Sequence, residues 1–180
     1  MTNGLQRRRS GRRVASKSKT KGKGYEREIA KHLSSIFNLN FERTPGSGAF
    51  TGGQNAFRSN ILTEEQQIVF DGDILPPKEL GMFKFECKCR KEMPFHLLLT
   101  SWSELDDWLE QARSREKWWF LLFKANRKGS YIAYDEKIKY TNRHPIAYYK
   151  KTTITSMDGF FEDNKEMILG QNKINPAAFL

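Results

Sequence analysis

The run Trp118-Trp119-Phe120-Leu121-Leu122-Phe123-Lys124 constrains this chain more than any other segment. Six consecutive large apolar side chains in an extended strand point alternately to both faces, so both faces must be covered. The flanking segments say what covers them. Residues 25–37 place Tyr25, Ile29, Leu33, Ile36 and Phe37 at helical spacing. Residues 102–117 do the same with Trp102, Leu105, Trp108, Leu109 and Ala112, and Ser101 or Ser103 is positioned to cap that helix. A strand with helices available for both its faces implies an α/β fold: a central mixed β-sheet flanked by α-helices.

Residues 82–90, MFKFECKCR, alternate strictly, with Phe83, Phe85, Cys87 and Cys89 on one face and Lys84, Glu86, Lys88 and Arg90 on the other. That period of two predicts a strand. Residues 71–75, DGDIL, read as a short strand closed by Pro76 and Pro77. A short extended piece surrounds Phe41-Glu42-Arg43, and the glycine-rich GSGAFTGG that begins at Gly46 reads as a loop. Residues 61–70 combine a helix-start pattern with a strand-like QIVF. The turn at 126–130 joins the buried run to YIAYD at 131–135 in a hairpin. Residues 146–155 add an edge strand, and a short helix is expected near 162–168.

The charge is localised. Of the 31 Lys and Arg residues, nine lie in the first 25 positions, among them Arg7, Arg8, Arg9, Arg12 and Arg13, and no Asp or Glu accompanies them. The remaining chain carries a net of only +1 against the overall +10. Residues 1–20 therefore read as a disordered basic arm, residues 21–140 as a core, and residues 141–180 as a C-terminal extension packed on or extending it. Such an arm suits a polyphosphate, because each neutralised phosphate releases a counterion. No apolar run approaches the roughly 18–20 residues of a membrane span, and no secretory leader is visible. Cys87 and Cys89 stand one residue apart, where a disulfide would be strained, so reduced thiols and a cytoplasmic location are expected. They lack a second ligand cluster for zinc.

The charged row on the strand at 82–90 is the chemical signal. Glu86 and Lys88 leave the same face, and adjacent pairing of the 71–75 strand brings Asp73 beside Glu86. Two neighbouring carboxylates repel, and a divalent cation relieves the repulsion. Hard oxygen ligands suit Mg²⁺ or Mn²⁺. With Lys88 near a phosphate oxygen, the set fits phosphodiester hydrolysis by a metal-activated water. The competing explanation is a solvated sheet face with a cross-strand ion pair.

Asp73 followed by Glu86-Cys87-Lys88 resembles the D…(D/E)-x-K signature of the PD-(D/E)XK nuclease superfamily. Residues 21–29, KGKGYEREI, resemble the opening helix of archaeal-type Holliday junction resolvases, and residues 43–47, RTPGS, resemble the R-x-x-G-S segment of the same family. ECK, WLEQA and LLFKANRKGSYI look like phage-encoded members. The resemblance spans roughly residues 21–135 and implies a restriction-endonuclease-like sheet.

It also implies roles. Asp73 and Glu86 hold the metal with the main-chain carbonyl of Cys87, Glu26 is an additional metal or water ligand, and Lys88 is the catalytic lysine. Arg27, Arg43 and Ser47 contact the DNA backbone, and Gln111 supports the site. Glu28, two positions from Glu26, faces elsewhere. Gly72 replaces the usual proline before Asp73. Asp71 shares the face of Asp73 on a strand and competes with it as ligand; the apolar Ile74 that follows favours Asp73.

The function that follows is a Mg²⁺- or Mn²⁺-dependent endonuclease acting on branched DNA, most simply a four-way junction. Two symmetric nicks ask for two symmetric sites, hence a homodimer. The alternatives are a nuclease of duplex, flap or single-stranded DNA, a catalytically silent DNA-binding protein on a nuclease fold, and a protein-interaction module with a localisation tail.

Overall fold

The computed structural model describes residues 17–45 and 71–171, together with Lys173. Arg7, Arg8, Arg9, Arg12, Arg13 and Ser47, the glycine-rich loop and the 61–70 segment lie outside the described residues.

Helix α1 (Lys17–Phe37) leads to strand β1 (Glu42–Arg43), and β2 (Ile74–Leu75) and β3 (Phe83–Arg90) follow. Helix α2 (Ser103–Ala112) connects β3 to β4 (Trp118–Ala125). Strands β5 (Gly129–Asp135), β6 (Ala147–Tyr149) and β7 (Thr152–Ser156) precede helix α3 (Phe160–Gln171). The strands form one seven-stranded sheet in the order β1-β2-β3-β4-β5-β7-β6. Among the described strands only β3 and β4 run parallel. A parallel pair needs a crossover connection, and α2 supplies it.

Strand β4 is buried on both faces, as its composition requires. Trp118, Phe120 and Leu122 join Phe83 and Phe85 of β3 in a core beneath α1 and α3. Trp119, Leu121 and Phe123 face the other way, against Trp102, Leu105, Trp108 and Leu109 at α2. All four tryptophans are thus core residues. The α2-side core draws no residue from β3. The charged row of β3 therefore lies at the margin of that core, where it is partly sheltered without being sealed.

The structure corrects four details of the sequence reading. The arm expected over 1–20 is helical from Lys17, because α1 reaches back from its buried segment. Once a nucleus exists, adding lysine-rich turns is inexpensive. Helix α2 ends at Ala112, not at Lys117. There Ser114 Oγ accepts the amides of Glu116 and Lys117 at 3.2 and 3.1 Å, a local turn that competes with helix. Neither Ser101 nor Ser103 caps α2; Trp102 occupies the cap position, and its N–H donates to the Tyr149 hydroxyl at 2.9 Å.

The fourth correction concerns the C-terminal third. Residues 146–155 form a hairpin rather than one edge strand, and β7 lies inside the sheet between β5 and β6. The helix expected near 162–168 runs from Phe160 to Gln171. Residues 141–171 extend the core sheet and also close its α1 face. Phe161 is fully buried and meets the rings of His32, Phe37, Phe120 and Phe160. Phe161→Ala is expected to cost about 3–5 kcal/mol, read by urea denaturation. A loss below about 1 kcal/mol would show that α3 is a detachable appendage.

Candidate active site

The site is assembled on β3. Asp73 sits at the foot of β2, which pairs antiparallel with β3 through Ile74 and Phe85. Three hydrogen bonds fix Asp73. Its N–H donates to Phe85 O at 2.8 Å, its carbonyl accepts from Thr44 N–H at 2.9 Å, and its Oδ2 accepts from Cys87 N–H at 2.9 Å. The side chain is buried against the strand that carries Glu86 and Lys88.

Gly72 explains why no proline precedes Asp73. Its φ is +97°, which proline cannot adopt, and a Cβ there would lie 2.8 Å from Phe85 O. The close approach of this turn to β3 is what delivers Asp73. Gly72→Ala combines a disfavoured backbone region with a backbone clash and is expected to cost about 2 kcal/mol or more. Equilibrium denaturation checks this; an unchanged midpoint would show that the turn is loosely held.

Along the charged face of β3 each group meets a partner. Lys84 pairs with Asp71 at 2.9 Å, and Lys117 meets the other oxygen of Asp71 at 3.2 Å. Asp71 is thus clamped by two lysines, whereas Asp73 lies beside Glu86. Burial opposes ionisation of Asp71, but the two ammonium groups outweigh it and hold the carboxyl below its usual range. Lys88 Nζ donates to Glu86 Oε1 at 2.5 Å and to Gln111 Oε1 at 2.7 Å, so the α2 glutamine does reach the motif lysine. Arg90 pairs with Glu104 of α2 and lies over the Trp108 ring.

The other expected residues sort as follows. Glu26 of α1 receives Arg43 Nε of β1 at 2.5 Å, so the helix and the RTPGS segment meet in space. Glu26 is engaged by that guanidinium, and its Oε1 lies 4.0 Å from where a Cβ on Gly22 would stand. Among the described residues, no three His, Cys, Asp or Glu side chains form a group able to hold a metal ion. Arg27 is exposed, and Glu28 turns away to pair with Lys124 at 2.8 Å. Cys87 is buried in the α1-side core as a free thiol, its acidity weakened first by burial and then by the charge of Asp73.

Glu86 carries the electrostatic signature of the site. Burial raises its pKa, the neighbouring Asp73 charge raises it further, and Lys88 offsets these only in part. Its side chain is 12% exposed. Beside it, Gly22 of α1, Cys87 to Arg90 of β3, and Trp108 and Gln111 of α2 line an open groove of about 320 Å³.

Glu86 also links stability to pH. Its folded pKa lies above the unfolded value of about 4.3, so the folded state holds the proton more tightly. Stability from this group is full below that value and is lost as pH rises through the folded pKa. In EDTA, Glu86→Gln should therefore melt above the parent protein at neutral pH and match it near pH 4. Thermal melts across that interval test this. A glutamine variant less stable than the parent at pH 7 would show that the ionised Glu86–Lys88 pair is net stabilising.

No described helix is long and apolar enough to cross a membrane. No curated protein and no solved structure matches the chain. A family model described as "Phage putative PDDEXK endonuclease" matches residues 17–171, from the first residue of α1 to the last of α3. The matched span takes in Asp73, Glu86 and Lys88 and every described element of the fold. The chain belongs to this phage PD-(D/E)XK endonuclease family, and so to the PD-(D/E)XK nuclease superfamily.

Proposed function

We propose that the chain is a divalent-metal-dependent DNA endonuclease that resolves four-way junctions as a homodimer. The observation that carries the nuclease reading is the convergence of Asp73 and Glu86 on β3, with Lys88 on the Glu86 side. The residues fit a cation. Two carboxylates meet in a sheltered site, and burial together with the Asp73 charge disfavours the ionised form of Glu86. A cation held by both would remove that penalty. Asp73, Glu86 and the main-chain carbonyl of Cys87 would hold it. The Cys87 amide already points at Asp73, and amide and carbonyl of one strand residue face the same side of the strand. These are hard oxygen donors, suited to Mg²⁺ or Mn²⁺.

When bound, such an ion polarises the phosphoryl group and acidifies the attacking water. The protein does the rest. Lys88 has three N–H donors, of which Glu86 and Gln111 accept two, leaving one for a non-bridging phosphate oxygen. Its positive charge offsets charge that builds on the phosphoryl oxygens. Gln111 acts as a positioning residue that fixes the lysine from the opposite wall of the groove. Arg43, oriented by Glu26, offers its remaining guanidinium donors to a neighbouring phosphate. Glu26 then serves the site through Arg43 instead of as a third metal ligand.

The junction preference rests on the resemblance of 21–29 and 43–47 to the resolvases, and the Glu26–Arg43 pair joins those two segments. A four-way junction has two-fold symmetry, which a C2 homodimer matches with two sites. Arg27, Ser47 and the basic arm with Arg7, Arg8, Arg9, Arg12 and Arg13 would contact phosphates without reading sequence.

The test is cleavage of an end-labelled synthetic four-way junction in Mg²⁺, beside linear duplex of the same sequence. Paired symmetric nicks in the junction alone are expected. Glu86→Ala should abolish them, and Lys88→Ala should slow them by about 10²–10³-fold while junction binding persists. Equal cutting of the linear duplex would replace the resolvase reading with a general nuclease. Binding without cutting in either Mg²⁺ or Mn²⁺ would leave a DNA-binding protein on a nuclease fold.

A further inference from the structure

A second concavity adjoins the groove. It encloses about 450 Å³ between the start of α1, the end of β3 and the β4–β5 turn. Lys21, Lys91, Lys124, Arg127 and Lys128 line it, with Asn126, and Glu92 is the sole acidic residue of the lining. Two carboxylates temper the cations: Glu28 pairs with Lys124, and Glu92 lies 3.8 Å from Lys91. Lys21, Arg127 and Lys128 make no ion pair among the described residues. The hollow is therefore cationic.

It is continuous with the catalytic groove. Gly22 and Arg90 line the groove, and their chain neighbours Lys21 and Lys91 line the hollow. Asn126 N–H donates to Arg90 O at 3.0 Å, which ties the turn to the end of β3. The turn itself holds an anomaly. Lys128 N–H donates to Ala125 O at 3.2 Å, and Arg127 has φ +61°, a left-handed position that favours glycine or asparagine. Arginine there costs stability, yet it stands at the rim of the hollow.

We propose that this hollow is a phosphate-binding site for the DNA strand that runs out of the catalytic groove, with Arg127 and Lys128 as its principal contacts. The proposal rests on the nuclease reading for the identity of the polyanion. Spacing and sequence are indifferent to it, since backbone contacts position a duplex without specifying bases.

The test replaces the two residues by ones the turn prefers: Arg127→Asn with Lys128→Ser. A control, Lys137→Ser with Lys139→Ser, removes the same charge beyond the opposite end of β5. Binding of a fluorescein-labelled four-way junction and of its linear arms is measured in EDTA as salt is raised from about 50 to about 200 mM. Wild-type cleavage in Mg²⁺ is scored alongside. Each lost phosphate contact should lower the slope of log K against log salt by about 0.9. The turn variant should therefore lose close to two slope units and bind about tenfold or more weakly near 0.1 M salt. Its melting temperature should match or exceed that of the parent, because the strained position is relieved. The control should change little.

A turn variant with parental slope and affinity, when the wild type cuts DNA, would overturn the phosphate site and leave the nuclease reading intact. Equal losses in the turn variant and the control would also overturn it, since the effect would then be overall charge. A wild type that cuts nothing but whose binding depends on Arg127 and Lys128 would sustain the site and sink the nuclease reading. A wild type that neither binds nor cuts would sink both.

Discussion

The site depends on how one aspartate is docked. Asp73 is held to β3 by its main-chain N–H, and its carboxylate accepts the next available strand amide, that of Cys87. The side chain thereby continues the hydrogen-bond ladder that the two-residue β2 is too short to complete. This geometry requires the chain to pass within contact of Phe85, which only a residue without Cβ at position 72 permits. The metal-binding proposal, the sheltering of Glu86 and the alignment of Lys88 all inherit their positions from that contact.

The same docking sets Glu86 against its surroundings. Glu86 is brought near a like charge in a sheltered place, and Lys88 only partly answers the repulsion. A protein selected for stability alone would place a neutral side chain there. The cost is intelligible on the proposed reading, in which the two carboxylates would hold a cation.

Much of this was legible in the sequence, for identifiable reasons. The alternation of 82–90 and the unbroken apolar run of 118–124 name β3 and β4, because burial on one or both faces leaves direct periodic traces. Lys88 and Gln111 are 23 positions apart; the resemblance implies only that Gln111 supports the site, and nothing in the spacing announces its contact with Lys88. The β6–β7 hairpin was missed for a physical reason. Its two turn residues, Lys150 and Lys151, have φ of +45° and +62°, a turn that normally announces itself with asparagine and glycine. The short α2 was overread because residues 113–117, RSREK, carry no glycine or proline to stop a helix, while Ser114 Oγ accepts the amides of Glu116 and Lys117 in a local turn. The Glu26–Arg43 pair was hidden by the opposite difficulty: each residue had a plausible separate role, and nothing in the spacing said that they would meet.

The placement of both concavities follows from the single parallel step in the sheet. β3 and β4 point the same way, so their carboxyl ends, Arg90 and Ala125, emerge side by side. The chain must then leave in two directions, toward α2 from one strand and through a tight turn into β5 from the other. Divergence of the chain at the carboxyl ends of parallel strands opens a crevice there, for the same reason that α/β sheets bind ligands at such points. The groove beside Lys88 and the basic hollow beside Arg127 occupy the two halves of that crevice, with α1 forming a wall of each. The fold thus leaves one end of the sheet open. Lys88 and Gln111 line one side of the opening, and Lys21, Arg127 and Lys128, which make no ion pair among the described residues, line the other.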